Sequence, residues 1–155
     1  MSEVKVNKVS PRSGTDVTLG DGGDTFTVGA DVIQMADNIV QRPLMKDYAE
    51  SVNAIGATGG GTQDIDLTLG NVVTATVDTS TNVFTFSNPP ATGKSGSFTL
   101  ILTNGGSQTV TWPTSVDWAG ATAPTLTTAG IDVITFTTID AGTIWYGFAA
   151  GLDMG

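Results

Sequence analysis

The chain has 155 residues, contains neither Cys nor His, and is rich in Gly (20) and Thr (26). Without thiols and imidazoles there is no Cys nucleophile, His base, His- or Cys-ligated metal or disulfide framework. A net charge of −9, from 15 acidic and 6 basic residues, disfavours nucleic acid, whose phosphates need a basic stripe, and repels anionic membrane surfaces.

Hydrophobic residues make up 39% of the chain and charged residues only 14%, against about 25% charged in an average soluble domain. Such a chain folds, with Thr and Gly replacing the usual surface Lys and Glu. Met1–Lys8 has no apolar core of a signal peptide, and no apolar run of membrane-spanning length occurs, so synthesis in the cytoplasm without membrane insertion is expected. Lys5, Lys8, Arg12, Arg42 and Lys46 crowd the first third of the chain, and only Lys94 follows. This asymmetry predicts three regions: a β attachment region over 1–31, a helix and Gly-rich hinge over 32–61, and a β domain over 62–155.

Val4, Val6 and Val9 alternate with polar residues as in a short strand. Val17-Thr18-Leu19 and Phe26-Thr27-Val28, joined by Gly20–Asp24, read as a hairpin. So small a β piece is marginal alone and is expected to pack on copies of itself or on a partner protein. Asp16, Asp21, Asp24 and Asp31 match no calcium-loop spacing and read as solvated turns, so no metal or other cofactor is expected.

Pro43 suits a first helical position, Asp47 and Glu50 the first turns, and Gly56 a C-terminal cap. Leu44, Tyr48, Val52 and Ile55 then fall on one helical face. That stripe has two uses, packing on its own domain or forming the seam of a parallel homo-oligomer. Periodicity alone does not separate them.

Beyond the glycines of Gly56–Gly61, strands are predicted at 65–69, 72–77, 83–86, 98–103, 108–112, 131–137 and 144–149. Alternation proposes inward faces of Ile65, Leu67 and Leu69, of Phe98, Leu100 and Leu102, and of Ile144, Tyr146 and Phe148. Asn104–Ser107 and Asp140–Thr143 read as hairpin turns. The expected fold is mainly β: a short N-terminal β segment, one short helix and a C-terminal, jelly-roll-like β-sandwich.

No catalytic constellation emerges. Gly93-Lys94-Ser95 looks like the end of a phosphate-binding loop, but the earlier glycine is missing and no helix follows. Asp64 and Asp66 share a strand face without any sign of a concave apolar surround. Trp118 and Trp145 with Asp117 form a candidate sugar-stacking surface. In the competing reading, Trp112 and Tyr146 fill the core. Trp145 and Tyr146 are adjacent, so a regular strand sends them to opposite faces.

Several pieces, in order, carry a family resemblance: Val9–Thr15, Arg42-Pro43-Leu44, Lys46–Glu50, Val110–Pro113, Val116-Asp117-Trp118, Ala123–Leu126 and Trp145–Phe148. Together they resemble bacteriophage tail-fibre and virion-fibre proteins of the kind found in phages of marine bacteria. The resemblance implies a homotrimer, with the Leu44, Tyr48, Val52 and Ile55 stripe as its seam, attached to another virion protein (tail or capsid) through the N-terminal region. It further implies a β head turned outward, where it can contact the host; the aromatic surface of Trp118 and Trp145 with Asp117 separately suggests host surface glycan as a partner. Fibres of this type are often longer and carry a shaft, so a capsid decoration or head-fibre protein is the alternative.

Overall fold

The computed structural model describes Val28 and residues 39–155. The strand and hairpin expected over residues 4–28, apart from the exposed Val28, and the Asp16, Asp21, Asp24 and Asp31 group lie outside the described residues. The chain divides into compact units Met1–Leu44 and Met45–Gly155, and the second holds the fold that follows.

That unit is built from nine strands: β1 (Val52–Ala57), β2 (Gly61–Asp66), β3 (Val72–Thr76), β4 (Asn82–Ser87), β5 (Gly96–Thr103), β6 (Val110–Thr111), β7 (Val116–Trp118), β8 (Ile131–Thr138) and β9 (Trp145–Met154). They form a six-stranded sheet in the order β1-β3-β5-β8-β9-β7 and a three-stranded sheet in the order β2-β4-β6. The protein is mainly β, and its two sheets share one core.

The connectivity differs from a jelly roll. β1, β3 and β5 are parallel neighbours in one sheet, and β2, β4 and β6 are parallel neighbours in the other. From β1 to β6 the chain therefore crosses to the opposite sheet after every strand. It makes three coils of a short solenoid rather than antiparallel hairpins. Antiparallel pairing begins only when β8 joins β5 and β9 joins β8. Apolar alternation reports which face is buried but not strand direction, so the sequence pattern fits both connectivities.

The corners show what the turns do. Asn104–Ser107, expected as a hairpin, is a left-handed Asn104 followed by a 3₁₀ turn at Gly105–Ser107, and it leads from one sheet to the other. A Cβ on Gly106 would lie 2.1 Å from the Leu126 carbonyl oxygen, so only glycine admits the passing strand of loop. Asp140–Thr143 is a true hairpin turn, with positive φ at both Ala141 and Gly142.

The glycine cluster expected as a hinge is a hydrogen-bonded corner. Gly59, Gly60 and Gly61 all have positive φ. The Gly59 N–H donates to Asp78 Oδ1 at 2.9 Å, and Gln63 Nε2 donates to the Thr58 and Gly60 carbonyls at 2.9 and 3.0 Å. The β domain consequently starts before residue 62, because β1 on the N-terminal side of this corner is an integral strand.

No helix forms over 43–55. Val52 and Ile55 belong to β1, whose pairing with β3 supplies hydrogen bonds and, for Ile55, contact with the core. Pro43–Ser51 is then shorter than the roughly 12–15 residues an unpacked helix needs, and Asp47 adopts a left-handed conformation. Leu44 and Tyr48 are exposed on irregular backbone. The Leu44, Tyr48, Val52 and Ile55 stripe therefore does not exist as a helical seam.

The core between the sheets is aromatic. Phe86, from the three-stranded sheet, sits edge-on to Phe98 (4.9 Å), Phe136 (5.0 Å) and Trp145 (5.4 Å) of the six-stranded sheet. Phe98 and Phe136 stack at 4.8 Å, as expected for registered partners on β5 and β8. Trp112 stacks on Phe84 at 5.4 Å. Of the proposed inward faces, Phe98, Leu100 and Leu102 are buried, and Ile65 is too. Leu67 packs at the margin, and Leu69 lies beyond the end of β2 and is exposed.

One carboxylate is fully buried. Asp132 accepts from the Thr127 N–H and hydroxyl, each at 2.7 Å, and from the Asp153 N–H at 3.1 Å. It thereby ties the long β7–β8 loop and the end of β9 to β8.

Phe136→Ala removes a ring that is 1% exposed from the centre of this cluster and is expected to cost about 3–5 kcal/mol. Urea unfolding followed by tryptophan fluorescence measures it. A loss under 1 kcal/mol would contradict the packing described.

Candidate functional site

The Trp118 and Trp145 platform does not form. Trp145 is 1% exposed and packs against Phe86 and Phe98. The Trp118 ring is half-buried on the core side, 5.5 Å from Trp112 and 5.6 Å from Phe136. It occupies the space where Gly147 lacks a side chain, since a Cβ there would lie 2.7 Å from Trp118 Cζ3. Of the proposed surface only Asp117 points outward and is exposed.

The reason is strand parity. Trp145 and Gly147 face the core, so Tyr146 and Phe148 face outward, at 42% and 53% exposure, with Ile144 exposed just before β9. The inward face expected for Ile144, Tyr146 and Phe148 is thus reversed. Trp112 packs against the core as the competing reading held, but Tyr146 does not. The glycine at 147 was the available signal: a residue without a side chain between two aromatics marks where another ring, here Trp118, needs room.

Parity also composes the outer face of the six-stranded sheet. Registered pairs carry Val72 to Thr99, Thr99 to Thr135 and Thr135 to Phe148 across four strands. A second row runs Thr74, Ile101, Val133, and a third Thr76, Thr103, Ile131. No outward strand residue from β1 to Phe148 of β9 is charged, but Glu50, just before β1, lines the same face, and Asp117 lies on the edge strand β7.

Two concavities lie on this face. One, of about 540 Å³, is lined by Glu50, Asn71, Ser97, Thr99, Thr135, Thr137 and Phe148. Asn71 Nδ2 donates to the Ser97 carbonyl at 2.6 Å, and the Thr137 hydroxyl donates to the Gly96 carbonyl at 3.2 Å, which leaves the Asn71 side-chain oxygen and the Thr137 lone pairs to accept. The other, of about 200 Å³, is bounded by Asp117, Ala119, Tyr146 and Phe148. Phe148 is the wall common to both. Neither concavity contains a Lys or Arg.

The opposite surface differs in chemistry. On the outer side of the three-stranded sheet, Asp64 accepts from the Thr85 hydroxyl at 2.8 Å and from the Ser87 hydroxyl at 2.6 Å. Asp66 accepts from Asn88 Nδ2, the Thr68 hydroxyl and the Thr68 N–H. These contacts, Asn88 foremost, hold the Asp66 carboxyl below the usual range, the opposite of what a general acid needs. Among the described residues no group of three or more His, Cys, Asp or Glu could hold a metal ion, and no helix is long and apolar enough to cross a membrane. Gly93-Lys94-Ser95 lies in a turn without a helix after it.

No protein-family model, curated protein or solved structure matches the chain.

The β8–β9 turn fixes the parity that exposes Phe148. Asp140 accepts from the Ile144 N–H at 3.1 Å and from the Thr138 hydroxyl at 2.8 Å. The Ile144 N–H, and after it the Thr138 hydroxyl, lowers the Asp140 pKa. A depressed carboxyl stabilises the fold above its unfolded pKa, about 3.9, and that contribution disappears as pH falls through the folded value. Asp140→Asn is therefore expected to lower Tm near neutral pH and to flatten the acid limb of the Tm–pH profile below about pH 4. An unchanged acid limb would show that Asp140 plays no such part.

Proposed function

We propose that this protein is a non-enzymatic structural protein of a bacteriophage virion, displayed on the particle surface as a homotrimeric tail fibre that contacts the host. The observation that carries the assembly is the exposure of the large apolar side chains Met45, Tyr48 and Val52 on the segment that leads into β1. A lone chain leaves them in water, and exposed apolar side chains close together in sequence point to a protein contact. The virion assignment rests on the resemblance of the Arg42–Glu50, Val110–Pro113, Val116–Trp118 and Trp145–Phe148 pieces to fibre proteins. Attachment to a tail or capsid protein is assigned to the N-terminal region, where most of the basic residues lie.

The runner-up is a capsid decoration or head-fibre protein. It is favoured by the entry of the exposed segment directly into β1, with no shaft between them among the described residues. Both positions use the same head.

A second reading of the head is as a glycan-binding module. The hydroxyl- and amide-lined concavity beside Phe148 supports it, because sugars stack on aromatic rings and exchange hydrogen bonds with such groups. On a glycan array, binding of neutral oligosaccharides should be lost in Phe148→Ala and Asn71→Ala, and binding retained by both variants would remove this site from the reading.

Light scattering on the eluting peak at micromolar concentration is expected to give three times the 15.8 kDa chain mass. A stable monomer would overturn the trimer. Immunogold labelling of intact particles separates tail from capsid.

A further inference from the structure

We infer that the concavity beside Phe148 takes saccharides that carry a free amine, with Glu50 as the residue that selects them. The inference rests on the glycan reading proposed above and names the class of sugar and the group that recognises it.

The concavity measures about 540 Å³, within the range of about 300–1,000 Å³ that ligand pockets span. Its polar groups lean toward accepting. Asn71 Nδ2 donates to the Ser97 carbonyl and the Thr137 hydroxyl to the Gly96 carbonyl, so what each has left to offer a ligand is chiefly oxygen lone pairs. Glu50 lines the same hollow and adds a full negative charge, and no Lys or Arg lines it. Phe148, at 53% exposure, presents an aromatic ring beside these oxygens. An ammonium answers all three features at once: it makes a charge-assisted hydrogen bond to a carboxylate, supplies N–H donors to the other oxygens, and is attracted to the face of a ring. A carboxylated or sulfated sugar would instead bring a second negative charge to Glu50, on a chain that already carries −9.

The remaining lining favours a sugar over the amine of a lysine side chain. Ser97, Thr99 and Thr135 add hydroxyls to the same hollow, and a methylene stem leaves them unmatched. A sugar ring carries its amine and its own hydroxyls together. N-Acetylation of that amine removes the charge and two of its donors. Glu50 is exposed, so water and salt screen the pair, and the expected preference for the free amine is about three- to tenfold.

The test is titration calorimetry at low salt with glucosamine oligomers and their N-acetylated counterparts, at a pH where the amine holds its proton. The amine form is expected to bind about three- to tenfold more tightly, and a sulfated oligomer not measurably. Glu50→Gln should bring the two forms to the same affinity. Glu50 precedes β1 on irregular backbone, so this variant keeps the fold, which tryptophan fluorescence checks. Asp64→Asn removes the same charge from the other sheet and should leave the preference intact. A wild type that binds neither form overturns the glycan reading and this inference together. A wild type that binds both forms equally, or a preference that survives Glu50→Gln or disappears equally in Asp64→Asn, overturns selection by Glu50 alone. A lysine-rich peptide that displaces the amine-bearing oligomer at a lower concentration than the free oligomer does assigns the hollow to a protein partner instead.

Discussion

The insertion of Phe86 among Phe98, Phe136 and Trp145 is the contact on which the rest of the molecule depends. Three strands cannot cover six with small side chains, because the narrower sheet reaches only part of the wider one. Large rings bridge that mismatch: Phe86 from the narrow sheet meets Phe98, Phe136 and Trp145 from the wide one, while Phe84 stacks on Trp112 and Trp118 packs beside Trp112 and Phe136. Once Phe98, Phe136 and Trp145 point inward, the residues beside them must point outward. The Thr- and Val-rich outer face and the exposed Phe148 are therefore consequences of core packing before they are features of a surface.

Most of the strands were legible in the sequence, since period-2 alternation is strong wherever one face is buried. The Phe98, Leu100 and Leu102 face is the clearest case. Two kinds of information were not legible. Strand direction was hidden because a corner that crosses to the other sheet and a turn that folds back use the same Gly- and Asn-rich vocabulary, as Asn104–Ser107 shows. Parity in β9 was hidden because both of its faces carry aromatics. Only the need of the Trp118 ring for the space above Gly147 decides which side is in.

The misplaced helix has a similar cause. Leu44, Tyr48, Val52 and Ile55 do recur with helical spacing, but β-branched Val52 and Ile55 are equally suited to an edge strand, and pairing with β3 outcompetes an unpacked helix. The Gly-rich corner after them has the same lesson: clustered glycine suggests freedom, yet Gly59, Gly60 and Gly61 are held by Asp78, Gln63 and the Thr81 carbonyl in conformations that other residues avoid. The candidate ligand surface moved for a related reason: exposure of an aromatic is set by the parity of its strand and not by its size.

Parallel pairing of β1 with β3 has a mechanical consequence for any chain tethered through its N-terminal side. Tension applied at Ser51 along the axis of β1 loads the bonds between Val52–Ala57 and Val72–Thr76 side by side, so they resist together instead of opening in sequence. The next coil is secured in the same sense by β5. A pull applied there would thus be shared across neighbouring coils before it reached the aromatic core.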